Sequence, residues 1–162
     1  MHKTVLLLGS NLGNSKALIL KAKNLLEVDL GTCILSSSIY ISEAWGFETN
    51  NSFLNQVLVF ETDLKPKEIL YLALDIETKL GRERSSEGYS SRTMDIDLLF
   101  YDQEIMKDEE LEIPHPKLHL RRFTLEPLSE IMPEFIHPVF QKTMHKLLVN
   151  CTDNLSVTKL KN

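Results

Sequence analysis

Cysteine is nearly absent from this chain. Cys33 and Cys151 lie far apart, too few and too separated for a disulfide framework or a zinc site, and are read as incidental thiols of a reducing compartment. Long apolar runs are also missing. Val5-Leu6-Leu7-Leu8 is too short for the core of a signal peptide and far too short to span a bilayer. No membrane association is therefore expected, and the cytoplasm is the expected compartment. An excess of positive charge is missing too: the net charge is −5, so no overall field attracts nucleic acid, and no nucleic-acid partner is expected. Nor is there a phosphate-binding loop of the Gly-Lys-Ser/Thr kind, because Gly9-Ser10-Asn11-Leu12-Gly13-Asn14 has neither the residues nor the spacing. Repeats, linkers and low-complexity tracts are absent. What remains is ordinary for a globular protein, 43% hydrophobic and 25% charged, and 162 residues suffice for one domain with a sizeable core, taken as residues 1–162.

Arginine is scarce but concentrated. All five (Arg82, Arg84, Arg92, Arg121, Arg122) lie between positions 82 and 122, whereas the lysines run from Lys3 to Lys161. A guanidinium grips phosphate oxygens as a bidentate fork, so arginine suits shaped anion recognition. In the middle of this stretch stands Arg92-Thr93-Met94-Asp95-Ile96-Asp97-Leu98-Leu99-Phe100-Tyr101, which reads as a strand. Alternation puts Asp95 and Asp97 on one face, about 6.6 Å apart along the chain, with Met94, Ile96 and Leu98 turned into a core. Beyond Asp97 the run is continuously apolar, as in a strand buried on both faces. Two carboxylates inside such a strand repel each other and lose hydration, and a divalent cation relieves both problems. Hard oxygen ligands near arginine suit Mg²⁺ and a polyphosphate. An isolated Asp-x-Asp is met often by chance on solvated edge strands, so the surrounding chain must decide.

The rest of the chain alternates in period. Thr4–Leu8 reads as a strand, Ser15 to about Val28 as an amphipathic helix with Leu18, Ala22, Leu25 and Leu26 on one side, Cys33–Ile41 as a strand with a serine-rich centre, and Phe53–Thr62 as a third strand. Pro66 opens a second helix and Gly81 closes it, with Ile69, Leu72, Ala73, Ile76 and Leu80 as the apolar stripe. Residues 42–52 and 82–92 are long polar loops. After the Asp-x-Asp strand, Asp102-Gln103 is expected to turn a hairpin through Glu104-Ile105-Met106, and Leu111–Ile113 to add a short edge strand. Helices are expected near 121–131 and 141–149. Strand, helix, strand, strand, helix, strand is the split βαβ order of a ferredoxin-like α+β sheet, mainly antiparallel, with helices packed on it and extra helices at the C-terminal end. The two long loops are the places for function.

With these blocks in order (Gly9-Ser10-Asn11-Leu12, Phe53-Leu54-Asn55, Glu77, Gly81-Arg82, Arg92 to Leu99, Pro114-His115-Pro116, and Arg121-Arg122-Phe123-Thr124-Leu125-Glu126-Pro127-Leu128), the chain resembles the 6-hydroxymethyl-7,8-dihydropterin pyrophosphokinases of folate biosynthesis. The resemblance implies transfer of the terminal diphosphate of ATP to the hydroxymethyl oxygen of a reduced pterin, with release of AMP. It implies two Mg²⁺ ions held by Asp95 and Asp97, with Asp97 the candidate base. Arg82 and Arg92 match loop arginines that act in catalysis and hold ATP, His115 and Arg121 match positions at the nucleotide phosphates, and Arg84, as an auxiliary contact, and Glu77, at the edge of the site, are expected at ATP as well. Phe53 and Phe123 match a pair that stacks the pterin and Asn55 the amide that reads its edge, with Ser42 and Glu43 expected at the pterin beside them and Trp45 covering the ring or the neighbouring channel. The partners implied are these two small molecules, and a monomer is expected.

Each residue also has a plainer account. Arg82 could cap the helix ending at Leu80, Arg84 could be a surface charge, His115 could fill a proline-fixed turn, Glu77 could make a core-adjacent salt bridge, and each aromatic could be core. Gly88-Tyr89-Ser90-Ser91 stands where the family usually has Trp-Gly-Pro, Phe53 replaces a tyrosine, and Ser42-Glu43-Ala44 replaces a common Thr-Pro pair. Two other functions are weighed. A binding module needs no metal ligands together with loop arginines. A simple kinase or nucleotidyltransferase would release ADP or pyrophosphate.

Overall fold

The computed structural model describes residues 1–47, 51–81 and 93–161. Among them eight strands and four α-helices follow the order β1 (His2–Ser10), α1 (Ser15–Asp29), β2 (Thr32–Ser36), β3 (Tyr40–Ser42), β4 (Phe53–Thr62), α2 (Pro66–Lys79), β5 (Asp95–Tyr101), β6 (Met106–Lys107), β7 (Glu112–Ile113), α3 (Arg122–Ile131), α4 (Met144–Val149) and β8 (Val157–Lys159). A 3₁₀ turn, Leu118–Leu120, precedes α3.

The main sheet runs β5-β1-β4-β3-β8, with β2 also on β4, and its pairings are antiparallel. This is the ferredoxin-like arrangement expected from the element order, widened by β8 on the far edge.

Two apolar clusters sit on opposite faces of the sheet. Leu6, Leu8, Leu58, Phe60, Ile96 and Leu98 pack with Ile19, Ala22 and Leu26 of α1 and Ile69, Ala73 and Ile76 of α2. Val5, Leu7, Val57, Val59 and Leu99 pack with Leu125 and Leu128 of α3 and Met144 and Leu147 of α4. Covering both faces explains why β1 and the end of β5 are continuously apolar. Pairing of β5 with β1 shifts register between Val5 and Leu6. Leu99 is the extra residue of that bulge, which is why Leu99 and Phe100 both join the second cluster.

Helix ends follow their sequence signals. Asn14 caps α1 by accepting from the Ala17 amide at 3.2 Å. Glu68 returns to the Lys65 amide at 2.7 Å where Pro66 opens α2, and Gly81, at φ +88°, closes it. The stripes of both helices face the core, with Leu18, Leu25 and Leu72 only partly buried at its margin.

Three expectations are corrected. The strand expected over Cys33–Ile41 is two strands, because its serines take hydrogen bonds that a ladder would otherwise use. The Ser37 hydroxyl donates to the Ser38 carbonyl and accepts from the Val57 amide, while Ser38 donates through its amide (2.6 Å) and hydroxyl (2.7 Å) to Glu130 of α3. The segment after Asp102 does not fold back on β5: β6 pairs with β7 in a separate two-stranded sheet. There Asp108 accepts from the Glu110 and Leu111 amides, tightening a short loop whose closure costs little. The last helix is α4, shorter than 141–149, and it begins where Thr143 caps it by accepting from the Lys146 amide.

Candidate active site

The floor of the site is the α3/α4 side of the sheet, near the C-terminal end of β1. Register aligns one row across it: Asp95 of β5, Gly9 of β1, Asn55 of β4 and Tyr40 of β3. One step along, Asp97 pairs with Leu7, and one step the other way, Phe53 pairs with Ser42. Strands sit about 4.8 Å apart, so Asp95 and Asn55 are about 10 Å apart across Gly9. Gly9 keeps that floor open, since a Cβ there would stand 3.3 Å from Asn55 Oδ1.

A cavity of about 420 Å³ opens over this floor. Ser42, Glu43, Trp45, Phe53, Asn55, Asp95, Asp97, His115, Arg121 and Phe123 all line it, so ten of the candidate residues meet in one place. Leu7, Gly9, Phe47, Pro116 and Lys117 complete the lining. None of these five was a candidate site residue, although Gly9 and Pro116 stand in the blocks that carry the resemblance. An apolar strand residue or a loop aromatic carries no distinguishing signal by itself, although a glycine inside a strand hints at close approach.

The lining divides by chemistry. Asp95 and Asp97, both half-buried, supply the anionic edge. Lys117 and Arg121 supply cations, and His115 feels the charges of both of them and of Asp95. His115 Nδ1 accepts from the Lys117 amide at 3.1 Å, so the neutral ring carries its proton on Nε2. Enclosure, then the charge of Arg121, pushes its pKa down to about 4, against a smaller pull from Asp95. His115 is therefore an uncharged hydrogen-bonding group at neutral pH. The third sector is flat and amidic. Phe53 meets Phe47 edge-on with centroids 5.9 Å apart, and buried Asn55 donates from Nδ2 to buried Ser42 Oγ at 2.7 Å.

The adjacent arginines part company at the start of α3. Arg121 is buried and reaches into the cavity. Arg122 turns away, donating from Nε to the Asp153 carbonyl (2.8 Å) and from Nη2 to the Cys151 carbonyl (3.2 Å). One arginine serves the cavity and the other ties down the C-terminal segment.

Glu77 does not line the cavity. It is buried on α2, and its Oε2 accepts from the Ile96 amide at 2.7 Å at the edge strand β5. Arg82, Arg84 and Arg92, with the rest of the 82–92 loop, lie outside the described residues.

The carboxylate pair fits Mg²⁺ by donor type. Among the described residues no cluster of three or more His, Cys, Asp or Glu forms a closed metal cage. A hard cation on Asp95 and Asp97 would complete its shell with water and ligand oxygens, as Mg²⁺ prefers. Among the described residues no helix is long and apolar enough to cross a membrane.

Comparison with known proteins gives the family. Residues 5–133 match the family described as 7,8-dihydro-6-hydroxymethylpterin-pyrophosphokinase. The chain is 40% identical over 134 residues to the 2-amino-4-hydroxy-6-hydroxymethyldihydropteridine pyrophosphokinase of Porphyromonas gingivalis, covering 81% of this chain and 90% of that protein. It is 41% identical over 137 residues to the enzyme of the same name from Aquifex aeolicus, covering 85% and 84%. Among solved structures, Plasmodium falciparum HPPK-DHPS superposes with a TM-score of 0.74 at 19% identity over 92% of this chain. That likeness speaks for the fold, and this chain spans only 43% of the larger protein.

Proposed function

Because the chain belongs to the 7,8-dihydro-6-hydroxymethylpterin-pyrophosphokinase family, we propose that it transfers diphosphate from ATP to 6-hydroxymethyl-7,8-dihydropterin in folate biosynthesis. The observation that carries this reading is the shared cavity, whose lining brings together a carboxylate pair, cations, aromatic rings and an amide. A polyphosphate suits the carboxylates and cations, and a flat, hydrogen-bonding heterocycle suits the rings and the amide.

The substrate hydroxymethyl oxygen attacks the β-phosphorus in line. A new P–O bond forms there, the bond from the β-phosphorus to the bridging oxygen breaks, and AMP leaves with that electron pair. The hydroxyl proton passes to a base, assigned to Asp97. Asp95 and Asp97 would hold two Mg²⁺ ions, which when bound would supply charge neutralisation at the phosphates. Arg121 and the Nε2–H of His115 orient phosphate oxygens. Arg82 and Arg92, assigned from the family resemblance, stabilise the charge of the transition state, with Arg84 an auxiliary contact. Phe53 and Phe123 stack the pterin, Asn55 reads its edge, and Ser42 and Glu43 form the adjoining wall. Glu77 is assigned no nucleotide contact, and its proposed part is to hold β5. The reading takes the chain as one such domain acting as a cytoplasmic monomer.

The test is to mix protein, ATP, Mg²⁺ and 6-hydroxymethyl-7,8-dihydropterin and resolve products by ³¹P NMR. AMP and pterin diphosphate in equal amounts are expected. ADP in place of AMP would make it a simple kinase, and nucleotide binding without turnover would make it a binding module.

A further inference from the structure

The guanidinium carbon of Arg121 lies 4.7 Å from the centroid of the Trp45 indole and 5.6 Å from that of the Phe123 ring. Lys117 Nζ stands 6.0 Å from the same indole. Both Lys117 and Arg121 therefore stand at the same indole ring. The backbone beneath is fixed: Arg121 is the N-cap of α3, and its carbonyl accepts from the amides of Thr124 and Leu125, each at 3.1 Å. The long side chain beyond that anchor has many rotamers of its own. Aromatic faces reduce that choice, since a guanidinium is attracted to the negative face of a ring and stacks on it. Phe123 comes from the same helical turn, so it moves with Arg121. Trp45 comes from the loop after β3 and is the independent part of the clamp.

We propose that Trp45 is a positioning residue for Arg121, acting through the guanidinium on phosphate binding instead of covering the heterocycle. The inference rests on the functional reading above and reassigns one residue within it. The indole holds the cation pointed into the cavity before an anion arrives, so less side-chain freedom is lost on binding.

The experiment compares wild type, Trp45→Leu and Trp45→Phe by calorimetry. The ligands are the Mg²⁺ complex of a non-hydrolysable α,β-methylene ATP analogue, and then 6-hydroxymethylpterin at saturating nucleotide. Trp45→Leu is expected to weaken nucleotide binding roughly 5- to 30-fold, the range that a partly desolvated cation–π contact supplies. Pterin affinity should stay within about twofold, because the stacking rings remain. Trp45→Phe keeps a ring face and should recover most of the nucleotide affinity. In turnover, the KM for ATP should rise far more than kcat falls. Unchanged nucleotide affinity in Trp45→Leu, or a loss confined to pterin, overturns the inference while leaving the functional reading intact. A wild type that binds neither ligand overturns both.

Discussion

The Glu77 carboxylate accepts a hydrogen bond from the Ile96 amide at 2.7 Å, along the edge of the sheet that β5 forms. Ile96 is the residue between the two candidate metal ligands, so this buried acceptor fixes the backbone from which Asp95 and Asp97 project. Leaving that amide without an acceptor is expected to cost about 1–3 kcal/mol. Glu77→Ala should lower the urea midpoint accordingly and weaken Mg²⁺-dependent nucleotide binding. Glu77→Gln keeps an acceptor oxygen and should retain most of both. Equal losses in the two variants would show that the charge matters and the hydrogen bond does not.

Asp95→Ala and Asp97→Ala separate chemistry from folding. Both side chains face the cavity and are only half-buried, so their removal leaves no core void. Turnover is expected to fall on the order of 10³-fold or more, the several kcal/mol that a metal-assisted transfer draws from its ion. Thermal midpoints should move by only a few degrees, and adding excess Mg²⁺ should not restore the rate. Near-wild-type turnover in either variant would remove that carboxylate from the mechanism.

Gly9→Ala tests the open floor. The new Cβ would lie 3.3 Å from Asn55 Oδ1, tight enough that the amide must shift by a few tenths of an ångström. Asn55 is held by its bond to Ser42 Oγ, so the shift would misplace the group assigned to read the pterin edge. The expected result is several-fold weaker pterin binding, with nucleotide binding little changed. An unaltered pterin affinity would show that Asn55 has room to adjust.

Much of this was legible in the sequence because the informative elements are long and periodic. The facing of Asp95 and Asp97 against Met94, Ile96 and Leu98 follows from strand alternation alone, and it places the first pair at the cavity and the other three in the core. The break between β2 and β3 was not legible. It depends on Ser38 meeting Glu130, 92 positions away, and no local pattern announces such a partner. The three-residue β8 is equally silent, since its place is set by pairing with β3. The different fates of Arg121 and Arg122 could not be read from adjacent identical letters. They follow from where α3 begins and which carbonyls the C-terminal segment presents.

His137 sets an acid limit on stability. Its ring is 2% exposed, and Nδ1 accepts from the amides of Val139 (3.1 Å) and Phe140 (3.2 Å). Burial, then the neighbouring His119, pushes its pKa from 6.5 down to about 4. Protonating Nδ1 would destroy both acceptor contacts and place a charge against Phe100 and Phe140, with ring centroids 5.6 and 4.5 Å away. The unfolded chain takes up this proton below pH about 6.5 and the folded chain only near pH 4. Between those values the unfolded state holds more protons, so stability rises with pH across the window and is level above it. His137 alone should contribute a slope of up to about 1.4 kcal/mol per pH unit. His115 titrates in the same direction and window, so the slope cannot vanish when His137 is replaced. His137→Asn supplies a non-titrating acceptor in place of Nδ1. Urea unfolding at several pH values between 4.5 and 7.5 should show a shallower acid slope for this variant, by roughly one proton. Identical slopes for the variant and wild type would mean that His137 titrates normally in the folded protein.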